Sequence, residues 1–302
     1  MMKVTIFFNP HSGKKNDELA EKVKETLITK GLRPDDIAIL IPDSIDEAFA
    51  LAKKASQDKI DLIIPMGGDG TINKIIGGIY EGGSFSKIGL IPSGTVNNFS
   101  KALAIPREFE AAIDTIINGQ TQKVDICKVN NHYMISSLTL GLLADIAADV
   151  SSEEKRRFGP LAFLKDSFKI LRRNRSYSIS LEDKERHLTL KTKFLLITMT
   201  NTIAGFPSFS PDALVNDGLL QVYTMKKLSF FKFLIHINEF RRGDFSKAEE
   251  ISHFHTDALK ISPLKNRKHW VARTRLDGDK SDYLPVSLKV IQGAVEVIVP
   301  KS

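Results

Sequence analysis

The largely apolar run Ile60 to Met66 ends in Gly67-Gly68-Asp69-Gly70-Thr71, and this junction constrains the fold more than any other stretch of the chain. A buried strand that closes in glycines lets the main chain approach an anion closely and adopt positive φ where the turn needs it. Thr71 is placed to cap a helix beginning at Ile72. Asp69 would then face a Mg²⁺ held by the phosphates of a nucleotide. Plain strand-to-helix geometry also uses glycine, so two further loops carry weight. Asn9-Pro10-His11-Ser12-Gly13-Lys14 follows the strand-like Val4 to Phe8, and Pro92-Ser93-Gly94-Thr95-Val96-Asn97-Asn98-Phe99 follows Ile88 to Ile91. Ligands of open α/β sheets bind outside the carboxyl ends of the strands, where all three loops fall.

Strand-like and helix-like segments alternate over the first ~125 residues, the pattern of a parallel sheet covered by helices. Val4 to Phe8, Ile37 to Ile41, Leu62 to Met66 and Ile88 to Ile91 read as strands. The helices read as Asp17 to Lys30, capped by Gly31, then Ile45 to Gln57, Ile72 to Tyr80 and Arg107 to Asn118. From Thr121 the texture changes to strand runs: Lys123 to Val129, Tyr133 to Leu140, Ser176 to Leu181, Leu188 to Thr200, Leu219 to Met225 and Leu288 to Ile291. An antiparallel second domain is expected there, interrupted by helical insertions at Leu142 to Lys169 and Leu228 to Arg241, with Val295 to Val299 returning to the first domain. The expected boundaries are 1–125 with 293–302 returning, and 126–292.

With 302 residues, 42% of them hydrophobic, the chain can bury two substantial cores. A formal charge of +7 favours an acidic partner: nucleic acid, a nucleotide or an anionic membrane surface. The single cysteine, Cys127, excludes a disulfide framework and a cysteine-based metal site, and reads as a buried, inert thiol. The amino-terminal run is too polar for a signal peptide, and no stretch reaches the ~18 apolar residues of a spanning helix. A cytoplasmic chain that visits a membrane peripherally is the expectation.

At its glycine loops the sequence resembles the bacterial diacylglycerol kinase family, soluble lipid kinases that share a nucleotide-binding domain with eukaryotic diacylglycerol and sphingosine kinases. The resemblance runs through Asn9-Pro10-x-Ser12-Gly13-Lys14, Gly67 to Asn73 and Gly94-Thr95-x-Asn97. It continues through Asn201 with Ala204-Gly205-Phe206, Pro211-Asp212-Ala213 leading to Asp217-Gly218, and Leu276-Asp277-Gly278. It implies an α/β nucleotide-binding domain of the NAD kinase and diacylglycerol kinase type, with a Rossmann-like parallel sheet, joined to a mainly antiparallel β-sandwich. ATP would sit in the cleft against Asn9, Pro10, Ser12, Gly13, Lys14, Gly67, Gly68, Asp69, Gly70, Thr71, Asn73, Gly94, Thr95 and Asn98. Asp69 would help hold the catalytic Mg²⁺. Asp277 would be the catalytic base, with Asp279 as its helper or the alternative base. A structural metal ion would take the Asp217 carboxylate and the carbonyls of Leu214 and Leu219. Asn216-Asp217-Gly218 also reads as a hairpin turn before the strand Leu219 to Met225, and the two readings are compatible.

Three positions depart from the family pattern. Asn98 stands where Asp is usual, which removes a negative charge and bears on catalytic rate. Asp279 replaces a Glu and shortens its reach by ~1.5 Å, and Lys101 stands where Arg is common. The implied reaction is phosphorylation of the diacylglycerol hydroxyl at the inner membrane surface. Other lipid alcohols (phosphatidylglycerol, a sphingoid base, a polyprenol), an NAD kinase and a non-catalytic nucleotide sensor stand as rivals. Basic runs at 155–157, 172–175 and 265–270, with the aromatic run 230–234, suit peripheral docking on anionic lipid. No nucleic-acid reader motif is present. His253 and His255 read as surface histidines. An edge-to-edge homodimer through the second domain is plausible.

Overall fold

The computed structural model describes residues 2–8, 16–94, 96–141, 176–203, 209–225, 251–264 and 272–301. The first part runs β1 (Val4–Phe8), α1 (Asn16–Thr29), β2 (Ile37–Leu40), α2 (Ile45–Gln57), β3 (Leu62–Gly67), α3 (Asp69–Glu81), β4 (Lys87–Ile88), β5 (Ile91–Pro92), α4 (Asn98–Ala102) and α5 (Phe109–Asn118). β1 lies between β2 and β3, parallel to both, with Val4 opposite Ile37 and Leu62. β4 and β5 continue the parallel arrangement beside β3. Both faces of these strands are covered, so alternate residues enter different cores, and each strand reads as an unbroken apolar run. Phe7, Ile63 and Ile88 pack with Ala52, Ile72 and Ile76 of α2 and α3. Ile6, Ile64 and Met66 pack with Val23, Leu27 and Ile113 of α1 and α5. The carboxyl ends of β1, β3 and β5 therefore open on one side of the sheet.

The second part continues with β6 (Gln120–Val129), β7 (His132–Met134), β8 (Ser137–Gly141), β9 (Tyr177–Glu182), β10 (His187–Thr192) and β11 (Phe194–Thr198). It closes with β12 (Leu220–Met225), β13 (Ile251–Thr256), β14 (Ala258–Pro263), β15 (Arg273–Leu276), β16 (Asp279–Tyr283) and β17 (Val286–Val299). Among the described residues these strands complete two sheets. One has the order β10-β9-β14-β17-β4-β3-β1-β2, with β5 on β3, β6 on β17 and β7 on β6; the other is β13-β12-β11-β8-β15-β16. Cys127, Ile179, Ile261 and Val290 of the first sheet meet Leu138, Ile197, Val222 and Leu276 of the second in a shared core. The architecture is an α/β layer joined to a mainly antiparallel β-sandwich.

β17 joins the two halves. Its end lies parallel to β4, with Val297 opposite Ile88, while its start is antiparallel to β14, with Leu288 opposite Leu259. The two expected strands Leu288 to Ile291 and Val295 to Val299 are one strand with a register shift between them. The buried Asp125 carboxylate holds that irregularity, accepting hydrogen bonds from the Gly293 and Gly218 N–H groups at 2.7 Å each.

Local propensity misplaced several boundaries. α3 starts at Asp69, two residues before the Thr71 expected to cap it. Gly68, extended at φ −85° and ψ 174°, takes the N-cap position, and its carbonyl accepts from the Thr71 and Ile72 N–H groups. Ile88 to Ile91 divides into β4 and β5. Tyr133 to Leu140 divides into β7 and β8, which belong to different sheets, and Leu188 to Thr200 divides likewise into β10 and β11. The expected helices 142–169 and 228–241, the three basic runs and the 230–234 aromatics lie outside the described residues. Cys127 is fully buried and burial pushes its thiol upward, as befits an inert cysteine. His253 stacks on Tyr223 and shares a 2.8 Å hydrogen bond with Gln221.

Candidate active site

The first turn of α3 gathers three aspartates from two distant parts of the chain, and each has a different environment. Asp69 opens the helix and is 7% exposed. Its carboxylate accepts the N–H groups of Asn98 at 3.0 Å and Phe99 at 3.3 Å, so it caps α4. Burial pushes its carboxyl above the usual range, against the pull of those two amides and the Lys101 charge. The loop before α4 is closed by Asn97. Its side-chain oxygen accepts the Gly94 N–H at 3.0 Å, and its amide donates to the Gly94 carbonyl at 2.7 Å. Asn97 sits at φ 55°, a conformation Asn tolerates better than most residues. Gly94 rests on the glycine turn, where a Cβ would come 2.8 Å from Gly68 Cα. Asn97→Ala, which loses both bonds and retains the left-handed backbone, is expected to destabilise the protein by about 1–3 kcal/mol in denaturant unfolding. Nucleotide affinity measured by calorimetry should fall alongside.

Asp277 and Gly278 form the two-residue turn between β15 and β16, with φ values of 48° and 96° and Leu276 paired with Asp279 across it. An Asp-Gly pair is the preferred chemistry of such a turn. The Asp277 side chain turns inward. It accepts four N–H donors: Asn73 Nδ2 at 3.0 Å, Ile135 at 3.0 Å, Ser136 at 2.8 Å and Ser137 at 2.9 Å. The run Tyr133 to Leu140 breaks into β7 and β8 where these three amides turn toward the carboxylate. Burial pushes Asp277 up to about 6, against the pull of its N–H partners, with the Asp69 charge adding to the rise. Asn73, also buried, keeps its Oδ1 without a hydrogen-bond partner among the described residues.

Asp279, one residue past the turn, is exposed. A Cβ on Gly70 would lie 1.8 Å from its Oδ2, so its carboxylate rests against the Gly70 main chain in the first turn of α3. The helix N-terminus favours an anion there. On the open side, a Cβ on Gly68 would meet no atom within 4 Å. Gly70→Ala is expected to displace this carboxylate and lower kcat by up to ~100-fold, the effect of a misplacement of about 1 Å. Unfolding should change little, because the end of one exposed side chain can yield.

The head of α3 thus brings together Gly67, Gly68, Asp69, Gly70, Asn73, Gly94, Asn98, Asp277 and Asp279. Thr71 lies within its first turn. Asn9, Pro10, Ser12, Gly13, Lys14 and Thr95 lie outside the described residues. Leu214, Asp217 and Leu219 gather elsewhere, in the turn that Asp125 ties to β17. There the Asp217 carboxylate accepts the Leu214 and Leu219 N–H groups at 3.2 and 2.9 Å. Sequence reasoning missed the Asn97 clamp, the Asn73 tie and the Asp125 anchor. Only the Asp-Gly dipeptide offered a local signal, for the turn at Asp277.

Comparison with known proteins places this geometry. Residues 3–129 match the model of the diacylglycerol kinase catalytic domain, and residues 112–299 match the YegS C-terminal NAD kinase beta sandwich-like domain. A protein named diacylglycerol kinase from Staphylococcus epidermidis is 30% identical over 300 residues, covering 99% of this chain and 92% of its own length. One of that name from Staphylococcus aureus is 28% identical over 298 residues, with the same coverage of 99% and 92%. A solved diacylglycerol kinase structure from Bacillus anthracis superposes with a TM-score of 0.79 at 21% identity, covering 98% of this chain and 96% of that one. Fold and matches together define an enzyme of the kinase class. The chain belongs to the bacterial diacylglycerol kinase family and is a lipid kinase. Among the described residues, no helix is long and apolar enough to cross a membrane.

Proposed function

We propose that the enzyme transfers the γ-phosphoryl group of ATP, with Mg²⁺, to the free hydroxyl of diacylglycerol, forming phosphatidic acid. The observation that carries this reading is the exposed Asp279 carboxylate, held against Gly70 at the head of α3 beside the Gly67-Gly68 turn. An alcohol attacks phosphorus well only as its proton leaves, and Asp279 is the carboxylate of the three that can reach an incoming hydroxyl. We therefore assign the base to Asp279. Asp277, given that role by the family resemblance, is buried with both oxygens occupied by N–H donors, and we assign it to holding the turn in place.

Gly68, where a Cβ would meet no atom within 4 Å, leaves room for phosphate oxygens close to the backbone, while Gly67, Gly70 and Gly94 let the turn pack against Thr71, Asp279 and Asn97. Residues 9–14 and Thr95 are assigned to the same nucleotide. Positioning and electrostatic stabilisation then supply most of the rate. Among the described residues no group of three or more His, Cys, Asp or Glu gathers around a metal. Mg²⁺ carried in with a nucleotide takes few protein carboxylates and completes its shell with phosphate oxygens and water. Asp69, buried with its two oxygens accepting the Asn98 and Phe99 N–H groups, would meet that ion through a water, and Asp217 with the carbonyls of Leu214 and Leu219 is assigned to a structural ion. Bound with the nucleotide, the ion neutralises developing charge on the transferred group. The basic runs at 155–157, 172–175 and 265–270 would draw the enzyme to anionic lipid at the inner membrane surface.

Labelled ATP offered with a panel of micellar lipids, and with NAD as a soluble control, tests this reading. Label entering diacylglycerol is the expected result. Label confined to another lipid, or to NAD, would overturn the acceptor assignment. ATP binding with no transfer to any acceptor would make the chain the nucleotide binder that its Asn98 suggested.

A further inference from the structure

The face of α3 that meets the second half of the molecule carries residues 70, 73, 74, 77 and 81, a spacing that aligns them along one side of a helix. Gly70 touches Asp279 and Asn73 bonds Asp277. Gly77 gives way to Tyr133, whose ring carbon would lie 2.5 Å from a Cβ there, and Glu81 accepts the Tyr133 hydroxyl. Between them, Lys74 Nζ lies 3.3 Å from His132 Nδ1, and His132 Nε2 lies 3.3 Å from Asp282 Oδ1. Lysine can only donate, so Nδ1 accepts and the ring proton sits on Nε2, which donates to Asp282. The other Asp282 oxygen accepts from Asn130 at 2.8 Å, and Asn130 Oδ1 accepts the Ser287 N–H. Asp282 lies on β16, three residues beyond Asp279.

We propose that His132 is a positioning residue: the chain Lys74–His132–Asp282 holds β16 against α3 and so keeps the Asp279 carboxylate in register with the glycine turn. The inference rests on the assignment of Asp279 as base. The tie spans three elements, α3, β7 and β16. The Asn73–Asp277 bond secures the turn end of the hairpin, and β16 is further held by its pairing with β15 and by the Asn130–Asp282 bond, so the Lys74–His132–Asp282 chain is what links the middle of β16 to α3. His132 and Asp282 are each 35% exposed at the side chain, so their loss leaves no sealed cavity and chiefly relaxes geometry.

The test compares His132→Ala, His132→Gln and Asp279→Asn in the full chain, with steady-state kinetics and hydrogen exchange of residues 273–283. Glutamine carries both an acceptor and a donor, so it can accept from Lys74 and donate to Asp282. For His132→Ala, kcat should fall ~10- to 100-fold, in line with a displaced catalytic group, with KM for ATP within about 2-fold of the parent. Exchange over 273–283 should quicken, and His132→Gln should recover most of both effects. Unchanged exchange with unchanged kcat in His132→Ala would overturn the proposal. So would losses in His132→Ala that His132→Gln shares in full, since bulk packing would then be responsible. Asp279→Asn separates the two readings. If that variant retains activity the base assignment fails, while altered exchange in His132→Ala would still establish the tie between α3 and β16.

Discussion

Asp279→Asn is expected to lower kcat by about 10²- to 10⁴-fold, the range over which a positioned general base contributes. Asparagine matches the carboxylate in shape and still fits against Gly70, but it cannot take up the proton of an attacking hydroxyl. ATP binding should stay within about 2-fold, because the group acts on the acceptor and its effect belongs to the transition state. Single-turnover transfer to diacylglycerol, set beside calorimetric ATP titration, measures the two quantities separately. Full activity in this variant would return the base to another group. Equal loss of ATP affinity would mean that the carboxylate organises the nucleotide site instead.

Asp277→Ala is expected to destabilise the fold by about 3–5 kcal/mol, since buried N–H groups left without an acceptor cost roughly 1–3 kcal/mol each and relax only in part. Four donors converge on this carboxylate, three of them amides of the segment that separates β7 from β8. Asp277→Asn should be milder, at about 1–3 kcal/mol. An introduced amide group in the position of Oδ2 can meet Asn73, which can rotate to offer Oδ1, an atom with no partner among the described residues, and the cost that remains is the Ile135 N–H, which loses its acceptor. Denaturant unfolding of both variants gives the order of effects. An Asp277→Ala protein of unchanged stability that transfers no phosphate would show that Asp277 works in the chemistry and does not serve to hold the turn.

These two expectations take up Asp279, the alternative base that the family resemblance allowed, and give Asp277 a structural part in place of the base role first implied for it; the reason is physical. Both carboxylates belong to one Asp-Gly-Asp stretch, and local spacing cannot say which side chain points inward. That depends on the amides at 135–137, about 140 positions away, and on Asn73, which is 204 positions away. Asp69 shows a related shift. Its place after β3 was legible from the glycines around it, but its capping of α4 depends on a short helix that periodicity did not reveal. The Thr71 cap was misplaced because Gly68, in an extended conformation, already supplied the carbonyl that starts α3.

The sequence by itself determined the parallel layer, its covering helices and the glycine turns where strands end. These features follow from near-neighbour patterns: apolar strands buried on both faces, 3.6-residue helical periodicity and the freedom of glycine beside a phosphate. It also determined the family, because the order of the loop motifs survives in the chain as written. The tertiary structure alone decided that two continuous apolar runs divide between different sheets, that β17 serves both halves, and that one aspartate of three at the head of α3 faces outward. Burial and hydrogen bonding are set by partners remote in sequence, and a carboxylate becomes a structural anchor or an exposed base according to the N–H groups that the fold brings to it.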